Sequence, residues 1–122
     1  MADKLMIVMV NTDPRNGTEL GAPFFQATVA AAMDYEVEIV FTGRAGELAK
    51  KGVTENLRVQ ESSPKTVYDY IKEAHEAGVK FKVCTPTIEL WGDDLIPEID
   101  ETVGGAYVIS QAMDDSTVTF TY

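Results

Sequence analysis

The sequence predicts one α/β domain over residues 1–122, with a doubly wound, mostly parallel sheet of four or five strands and helices on both faces, a flavodoxin-like layout. Three observations predict it. The length is near the commonest domain size. The first strand-like segment is apolar without alternation, as in a strand that is buried on both faces. Strand-like and helix-like segments then alternate, as they do where right-handed crossovers join parallel strands.

The chain opens with a strand and a helix. Residues 4–10 (KLMIVMV) form the apolar first strand, which the turn formers of residues 11–17 end. Pro23 suits the first turn of a helix, and residues 24–33 are alanine-rich and apolar on all sides. We therefore expect the sheet to cover one face of this helix and a neighbour to cover another.

A second strand follows at residues 35–42 (YEVEIVFT), which are rich in β-branched and aromatic side chains. A short helix is predicted over residues 46–51, with Gly52 as its C-cap. Residues 58–60 are predicted to form a brief strand. Residues 58–60 are therefore the uncertain strand, and they decide whether the predicted sheet has four strands or five.

The next helix is predicted over residues 62–77, because Ser-Ser-Pro is a good helix start. Val67, Ile71 and Ala74 then lie on one face of it. The strand over residues 79–84 (VKFKVC) follows. Together they form the third strand-helix alternation.

The last third of the chain contains short helices and a terminal strand. A threonine cap and a proline predict a helix over residues 86–91, and two aspartates predict a short helical turn through residues 93–96. Paired glycines lead into a helix over residues 106–113. Residues 117–122 (TVTFTY) form the last strand.

Composition excludes several classes of protein. The chain carries 20 acidic and 10 basic side chains, and its charge of −10 argues against binding to nucleic acid or to an anionic membrane. One cysteine and one histidine cannot form an intramolecular disulfide or a structural zinc site. There is no apolar run of roughly 18 residues and no signal-peptide pattern. We expect a cytoplasmic protein without a metal.

The residues that follow the strands are the candidates for function, because ligands of parallel sheets bind beyond the carboxyl ends of the strands. Cys84 is the sharpest candidate: it ends a strand, and the dipole of the helix that follows favours a thiolate. A thiolate attacks sulfur electrophiles and can carry a persulfide. The alternative is a buried structural cysteine. His75 lies late in the preceding helix, at the opposite edge of the sheet, so we do not expect it to act as a base.

Six further residues near these strand ends are candidates for binding: Asn11, Thr12, Arg44, Thr85, Thr87 and Trp91. The backbone N–H groups of Thr85 and Thr87 would stabilise an anionic sulfur, and Arg44 would neutralise a ligand or a thiolate. Trp91 would limit the access of solvent. The alternatives are an ordinary turn, a solvated loop charge and a core tryptophan.

Two signatures are missing from the sequence. The loop at residues 11–17 (NTDPRNG) contains neither G-x-G-x-x-G nor G-x-x-x-x-G-K-[ST], so no standard nucleotide motif is present and we predict no cofactor. A response-regulator receiver has an acidic pair after its first strand and a lysine after its fifth. Here the first strand ends in NTD and TVTFTY contains no lysine, which excludes the receiver class.

Residues 80–108, which include KVCTPTIELWGDDLIPEIDETVGGAYV, resemble the DsrE/DsrF-like family, also called YchN-like. Many members have a strand ending in cysteine, a short helix, a glycine, a short acidic helix and a V-G-G-[AV] segment that opens the last helix. The opening KLMIVMVNTDP, followed by an alanine-rich helix, is also similar to the family. The resemblance covers nearly the whole chain, in order.

The resemblance implies a small α/β fold that assembles into homotrimers or homohexamers. It also implies that Cys84 accepts and donates sulfur as a persulfide, with sulfur donor and acceptor proteins as partners. Characterised relatives work in sulfur relay, either in transfer-RNA thiolation or in dissimilatory sulfur oxidation. Because this chain has one cysteine, a mechanism that needs a second, resolving cysteine cannot operate within it.

Three hypotheses about function remain open at this point. The first is a sulfur carrier or sulfurtransferase that acts with protein partners through Cys84. The second is a small-ligand module, for a nucleotide or a flavin, that uses the loop at residues 11–17. The third is a structural or regulatory subunit of an oligomer, in which Cys84 is buried and has no chemical role.

Overall fold

A computed structural model describes residues 2–122, in which strands and helices alternate as the sequence predicts. The strands of this part of the chain are β1 (Lys4–Met9), β2 (Glu36–Phe41), β3 (Lys80–Cys84), β4 (Ile99–Val103) and β5 (Thr117–Thr121). Its α-helices are α1 (Ala22–Ala32), α2 (Val67–Glu76), α3 (Thr85–Trp91) and α4 (Gly105–Ala112). Short 3-10 helices occupy Gly17–Glu19, Gly43–Ala49 and Thr54–Asn56.

The five strands form one parallel sheet in the order β4-β3-β2-β1-β5. This confirms the predicted fold class, a parallel α/β sheet with helices on both faces. The strands step outward from β1 to β4, and the chain then returns to place β5 on the other side of β1. This order differs from the 2-1-3-4-5 order of flavodoxin, and its reversal lies between β1 and β5.

The main core lies between the sheet and helices α1 and α2. Phe24 of α1, Phe41 of β2 and Phe81 of β3 are fully buried, with ring centroids 5.9 to 6.4 Å apart. Aromatic rings at these separations pack favourably beyond the area that they bury. This cluster therefore fixes the position of α1 over the two central strands.

The opposite face of the sheet carries a smaller apolar cluster under α4. Met6, Val8, Val40 and Val103 are its buried members. No residue of α4 is itself fully buried, so this helix covers its face only partly. No helix within residues 2–122 has the length and apolarity needed to cross a membrane.

Two predicted elements are absent from the described residues. Residues 58–60 form no strand; their backbone oxygens instead pack against Gly17, at the start of the first 3-10 helix, so closely that a Cβ at Gly17 would have no room. Residues 93–96 form no helical turn, because Leu95 pairs with Lys50 in an antiparallel bridge. Both segments are held by loops that are distant in sequence, which local patterns do not reveal.

The fifth strand is β4, which the sequence pattern did not predict and which falls where the resemblance implied an acidic helix. Its sequence, IDETV, exposes three polar side chains at the edge of the sheet and buries only Val103. A register shift beside Phe81 and Lys82 also interrupts its pairing with β3. An edge strand of this composition carries no apolar signal, and this explains why the prediction was wrong.

The predicted helix over residues 46–51 is a 3-10 helix that starts earlier, at Gly43. Gly43 has φ of +55°, which turns the chain directly at the end of β2. The segment ends at Lys50, whose backbone is extended, so Gly52 is not its cap. The prediction was correct about a helical turn here but wrong about its type and bounds.

Helix α2 begins at a capping box rather than at the serine pair of residues 62–63. Thr66 Oγ1 accepts a hydrogen bond from Asp69 N–H (3.2 Å), and Asp69 Oδ2 accepts one from Thr66 N–H (2.9 Å). The backbone hydrogen bond from Thr66 holds the pKa of Asp69 below its usual range. Because the box satisfies two of the N–H groups at the helix end, it sets the start of α2.

Replacing Thr66 with alanine is expected to lower the free energy of unfolding by about 1 kcal/mol, because the Asp69 N–H loses its side-chain acceptor. Urea unfolding monitored by circular dichroism measures the change. Thr66→Ser keeps the hydroxyl and is the matched control, which should retain most of the stability. Equal losses in the two variants would show that the hydroxyl does not stabilise the helix.

Candidate functional site

The parallel sheet brings the predicted site residues to one edge. Asn11 follows β1, Arg44 follows β2 and Cys84 ends β3, all at the carboxyl ends of their strands. The Arg44 Nε donates a hydrogen bond to the Asn11 carbonyl oxygen (3.0 Å), which joins the first two of these loops. The predicted residues therefore share the edge of the sheet at which parallel sheets bind ligands.

Cys84 is both the last residue of β3 and the N-cap residue of α3, and it is 9% exposed. The sequence analysis expected Thr85 at this cap. Successive side chains of a strand alternate between faces, so Cys84 shares the α4 side of the sheet with Lys82. Its strand partner is Val103 of β4. The single thiol of the chain thus lies nearly buried where a strand becomes a helix.

The first turn of α3 is fastened to its surroundings by two threonines. The Thr85 hydroxyl donates a hydrogen bond to the Val103 carbonyl oxygen (3.1 Å), which ties the start of α3 to the end of β4. Thr87 is 2% exposed, and its hydroxyl oxygen has no hydrogen-bond partner among residues 2–122. Its methyl group packs against Gly46, where a Cβ would overlap it.

Trp91, at the end of α3, attaches this helix to the segment after β2. Its indole N–H donates a hydrogen bond to the Gly43 carbonyl oxygen (3.0 Å), and its ring packs beside Gly46. The indole is half-buried in this contact. The position of α3, and with it that of Cys84, is therefore set from both ends of the helix.

A separate cavity of about 300 Å³ opens where the strand order reverses, beyond the carboxyl ends of β1 and β5. It is lined by Asn11, Thr12, Thr18, Glu19, Ala22 and Tyr122. Thr12 is 3% exposed. Cys84 does not line this cavity. The structure therefore divides the predicted residues into two groups, one around Cys84 on α3 and one around Thr12, with Arg44 between them.

The model of the DsrE/DsrF-like family matches residues 4–121. The chain belongs to this family. The match confirms the resemblance that residues 80–108 and the first strand indicated, over nearly the whole chain.

Solved structures show the same fold. The YchN protein from E. coli superposes on this DsrE/DsrF-like chain with a TM-score of 0.75, at 11% identity and with 100% of each chain covered. A conserved protein of unknown function from Bacteroides thetaiotaomicron superposes with a TM-score of 0.69, at 13% identity, covering 98% of this chain and 95% of that one. None of the curated proteins compared with this sequence matches it. At these identities the likeness establishes the fold alone.

The DsrE/DsrF-like chain also contains a buried charged cluster that the sequence analysis missed. Lys82 Nζ lies 2.7 Å from Glu38 Oε2 and 3.0 Å from Glu101 Oε1. The Tyr107 hydroxyl, from α4, accepts a hydrogen bond from Lys82 Nζ (2.5 Å) and donates one to Glu38 Oε2 (2.7 Å). Lys4 Nζ lies 3.5 Å from the other Glu38 oxygen.

Two pKa shifts follow from this cluster. Burial alone would raise the pKa of Glu38, but the hydrogen bonds from Lys82 and Tyr107 outweigh it and the pKa falls below its usual value. Burial would lower the pKa of Lys82, but the hydrogen bonds with Glu38, Tyr107 and Glu101 raise it well above its usual value. Both groups are therefore ionised at neutral pH. The signal in the sequence was a charged residue in the interior of each strand, Glu38 in β2 and Lys82 in β3, flanked by apolar side chains.

His75 lies away from the candidate site, as the sequence analysis expected. Its Nε2 is 3.1 Å from Asp100 Oδ1, near the start of β4, and the other oxygen of Asp100 accepts the Phe81 N–H (2.9 Å). Cys84 is paired with the other end of β4. Within residues 2–122, no three side chains of histidine, cysteine, aspartate or glutamate are arranged to hold a metal ion.

Proposed function

We propose that this DsrE/DsrF-like protein is a cytoplasmic sulfur carrier that holds sulfane sulfur as a persulfide on Cys84 and exchanges it with protein partners. Sulfur relay is the general association of the family. The observation that supports the proposal best is the position of the only thiol, at the carboxyl end of β3 and the start of α3, nearly buried. This is the edge at which parallel sheets carry out their chemistry.

Loading is a thiol exchange that conserves electrons. The Cys84 thiolate attacks the outer sulfur of a persulfide on a donor protein, so that a bond forms between Cys84 Sγ and that sulfur. The sulfur–sulfur bond of the donor breaks, and its electron pair remains on the donor cysteine as a thiolate. Transfer to an acceptor thiolate is the same step in reverse, and neither step needs an external oxidant.

The start of α3 is suited to hold the added sulfur. The side chain of an N-cap residue lies near the third helical residue, which here is Thr87, and the Cys84 side chain makes no capping hydrogen bond. The Thr87 hydroxyl also has no partner. In this proposal, Thr87 donates hydrogen bonds to the terminal sulfur, and the burial of Cys84 protects the persulfide from other thiols.

Intact mass spectrometry tests the proposal. The protein is incubated with a rhodanese and thiosulfate, and we expect it to gain the mass of one sulfur atom, which a reductant then removes. Cys84→Ser is the matched control and should gain nothing. A wild-type protein that stays unmodified, or a Cys84→Ser variant that gains the same mass, would overturn the proposal.

A second candidate function is a small-ligand module, which the cavity beside Thr12 favours. Its volume is at the lower end of the range for ligand sites, and it lies at the reversal of strand order, where doubly wound sheets bind nucleotides and flavins. Native mass spectrometry with a panel of nucleotides and flavins tests it, with Thr12→Val as the matched variant. Binding that Thr12→Val does not weaken would locate the ligand elsewhere and contradict this candidate.

The rate at which Cys84 is labelled by a thiol reagent in the native protein distinguishes the carrier from a subunit with a purely structural role. A carrier thiol must open to its partners, so we expect labelling much faster than global unfolding allows. Labelling that occurs only as fast as global unfolding would indicate an inert, structural cysteine.

A further inference from the structure

Strand β5 leaves one edge of the sheet open. The backbone oxygen of Ser116 and the backbone N–H of Tyr122 both bond to β1. Bonding direction alternates along a strand, so the even-numbered residues of β5 face β1, and Thr119 and Thr121 direct their N–H groups away from the sheet. Strand β5 pairs only with β1. Such an edge is a template for another strand.

An apolar groove of about 410 Å³ runs beside this open edge, between β5 and α1. Its large apolar side chains are 39% to 68% exposed: Phe25, Val29, Met33, Tyr35, Val118 and Phe120. Although the chain carries 20 acidic residues, none of them lines the groove. A contiguous exposed apolar surface of this kind marks an interaction site.

We infer that β5 pairs antiparallel with β5 of a second copy of this chain, about a twofold axis at Thr119, and joins the two sheets into one of ten strands. In this register Thr119 faces Thr119 of the second copy as a hydrogen-bonded pair, which uses the outward N–H and C=O of both. A twofold contact requires a surface that is complementary to itself. The inference does not depend on the proposed sulfur chemistry.

The sequence of β5 meets that requirement. In the segment TVTFT, reversal about Thr119 places Val118 opposite Phe120 of the second copy and Thr117 opposite Thr121 of the second copy. Aromatic pairs with β-branched residues and threonine pairs are both favourable across antiparallel strands. The Thr117 hydroxyl is buried without a hydrogen-bond partner in the single chain.

Charge and the surface of α1 also favour a second copy as the occupant. Two chains of charge −10 repel each other, and a surface without acidic residues, such as this groove, is one where that repulsion is weakest. Phe25 and Val29 of α1, together with its C-cap residue Met33, are spaced four residues apart and form a stripe beside β5. The twofold axis brings this stripe towards the same stripe of the second copy. Helix α1, which is apolar on all sides, then has a neighbour on the face that the sheet does not cover.

Molar mass measured by light scattering across a range of concentrations tests the pairing. We expect an assembly with a twofold axis, a dimer or a hexamer. Phe120→Lys should weaken association by about 100-fold or more, because a buried anchor residue becomes charged. Leu90→Lys, on α3 near the opposite edge of the sheet, is the matched control and should leave association unchanged. A monomer, an isolated trimer, or equal effects of the two variants would overturn the inference.

A cross-link provides a test that does not depend on Phe120→Lys remaining folded. In the Cys84→Ser background, Thr119→Cys places two cysteines at a hydrogen-bonded pair, with Cα atoms roughly 5.5 Å apart, within the range of a disulfide. We expect rapid formation of a covalent dimer under mild oxidation. Glu89→Cys in the same background is the control and should remain uncrosslinked. Equal cross-linking in the two variants, or none at Thr119→Cys, would exclude the β5 pairing.

Discussion

Replacing Lys82 with methionine is expected to lower the free energy of unfolding by about 3 kcal/mol, because it leaves the buried Glu38 carboxylate without its closest cation. The two charges lie 2.7 Å apart beneath α4, and Glu38 is 2% exposed. The Tyr107 hydroxyl also loses its lysine donor, so the contact that fastens α4 to the sheet weakens. Chemical unfolding monitored by circular dichroism measures the loss.

The stability lost in Lys82→Met should depend on pH. The directions of the pKa shifts of Glu38 and Lys82 determine whether the loss grows or shrinks as pH changes. The pKa of Glu38 is lowered in the folded protein, so its contribution is present above the usual glutamate pKa and is lost as pH falls through the folded value. The pKa of Lys82 is raised, so its contribution is present below the usual lysine pKa and is lost as pH rises through the folded value. In Lys82→Met, Glu38 can escape its unpaired charge by binding a proton. The difference from the wild type should therefore narrow as pH falls from neutrality towards about 4.

Two controls separate the buried charge from the loss of a lysine in general. Lys80→Met removes an exposed lysine from the same strand, and we expect a change within about 0.5 kcal/mol. The double variant Glu38→Met with Lys82→Met removes both charges and should recover most of the stability, because well-packed apolar residues replace buried ion pairs at little cost. Equal losses for Lys80→Met and Lys82→Met would contradict a desolvated ion pair.

Replacing Gly46 with alanine is expected to lower the free energy of unfolding by about 2 kcal/mol, because the added methyl group overlaps the methyl group of Thr87. Both residues are buried, so neither can turn towards solvent. The ring of Trp91 would lie 3.2 Å from the new carbon, so the methyl group has no space on that side either. The strain therefore falls on the contact between α3 and the 3-10 helix Gly43–Ala49.

A double-mutant cycle identifies this contact as the cause. Thr87→Ser removes the methyl group that clashes and keeps the hydroxyl, so Gly46→Ala should cost much less in that background. Gly105→Ala, at a position with no neighbour within 4 Å, is the matched control and should be neutral or slightly stabilising. Additive effects of Gly46→Ala and Thr87→Ser would show that the strain arises elsewhere.

The same variant tests how the candidate site is positioned. Because α3 begins at Cys84, displacement of Thr87 by Gly46→Ala moves the first turn of the helix that carries the thiol. In the native protein we expect faster labelling of Cys84 in Gly46→Ala and a wild-type rate in Gly105→Ala. Labelling is measured under strongly native conditions, where global unfolding is too rare to contribute. If Gly46→Ala changed only the overall stability, the rate of Cys84 labelling would therefore stay at the wild-type value.

Part of the site was predictable because it depends on local order along the chain. Cys84 ends an apolar strand and precedes a Thr-Pro helix start, and both features are visible within a few residues. The parallel sheet then ensures that Asn11, Arg44 and Cys84 share an edge. The division into two groups was not predictable, because it depends on which strands are neighbours and where their order reverses.

The ion pair of Glu38 and Lys82 shows the same limit. The two residues are far apart in sequence, and they meet only because β2 and β3 are adjacent and in a register that pairs Val40 with Lys82. Neither residue is named in the sequence analysis. Strand β4 was missed for a related reason: its pairing with β3, rather than its own apolar content, makes it a strand.

By itself, the sequence determined the alternation of strands and helices, the parallel sheet, the family and the location of the only thiol at a strand end. These features depend on periodicity, end signals and short motifs, which act within a few residues. Only the tertiary structure decided the strand order, the burial of the charges under α4, the seating of Thr87 against Gly46 and the acid-free groove beside β5. Each of these depends on contacts between segments distant in sequence, because a side chain's surroundings are set by the register and order of the strands that carry it.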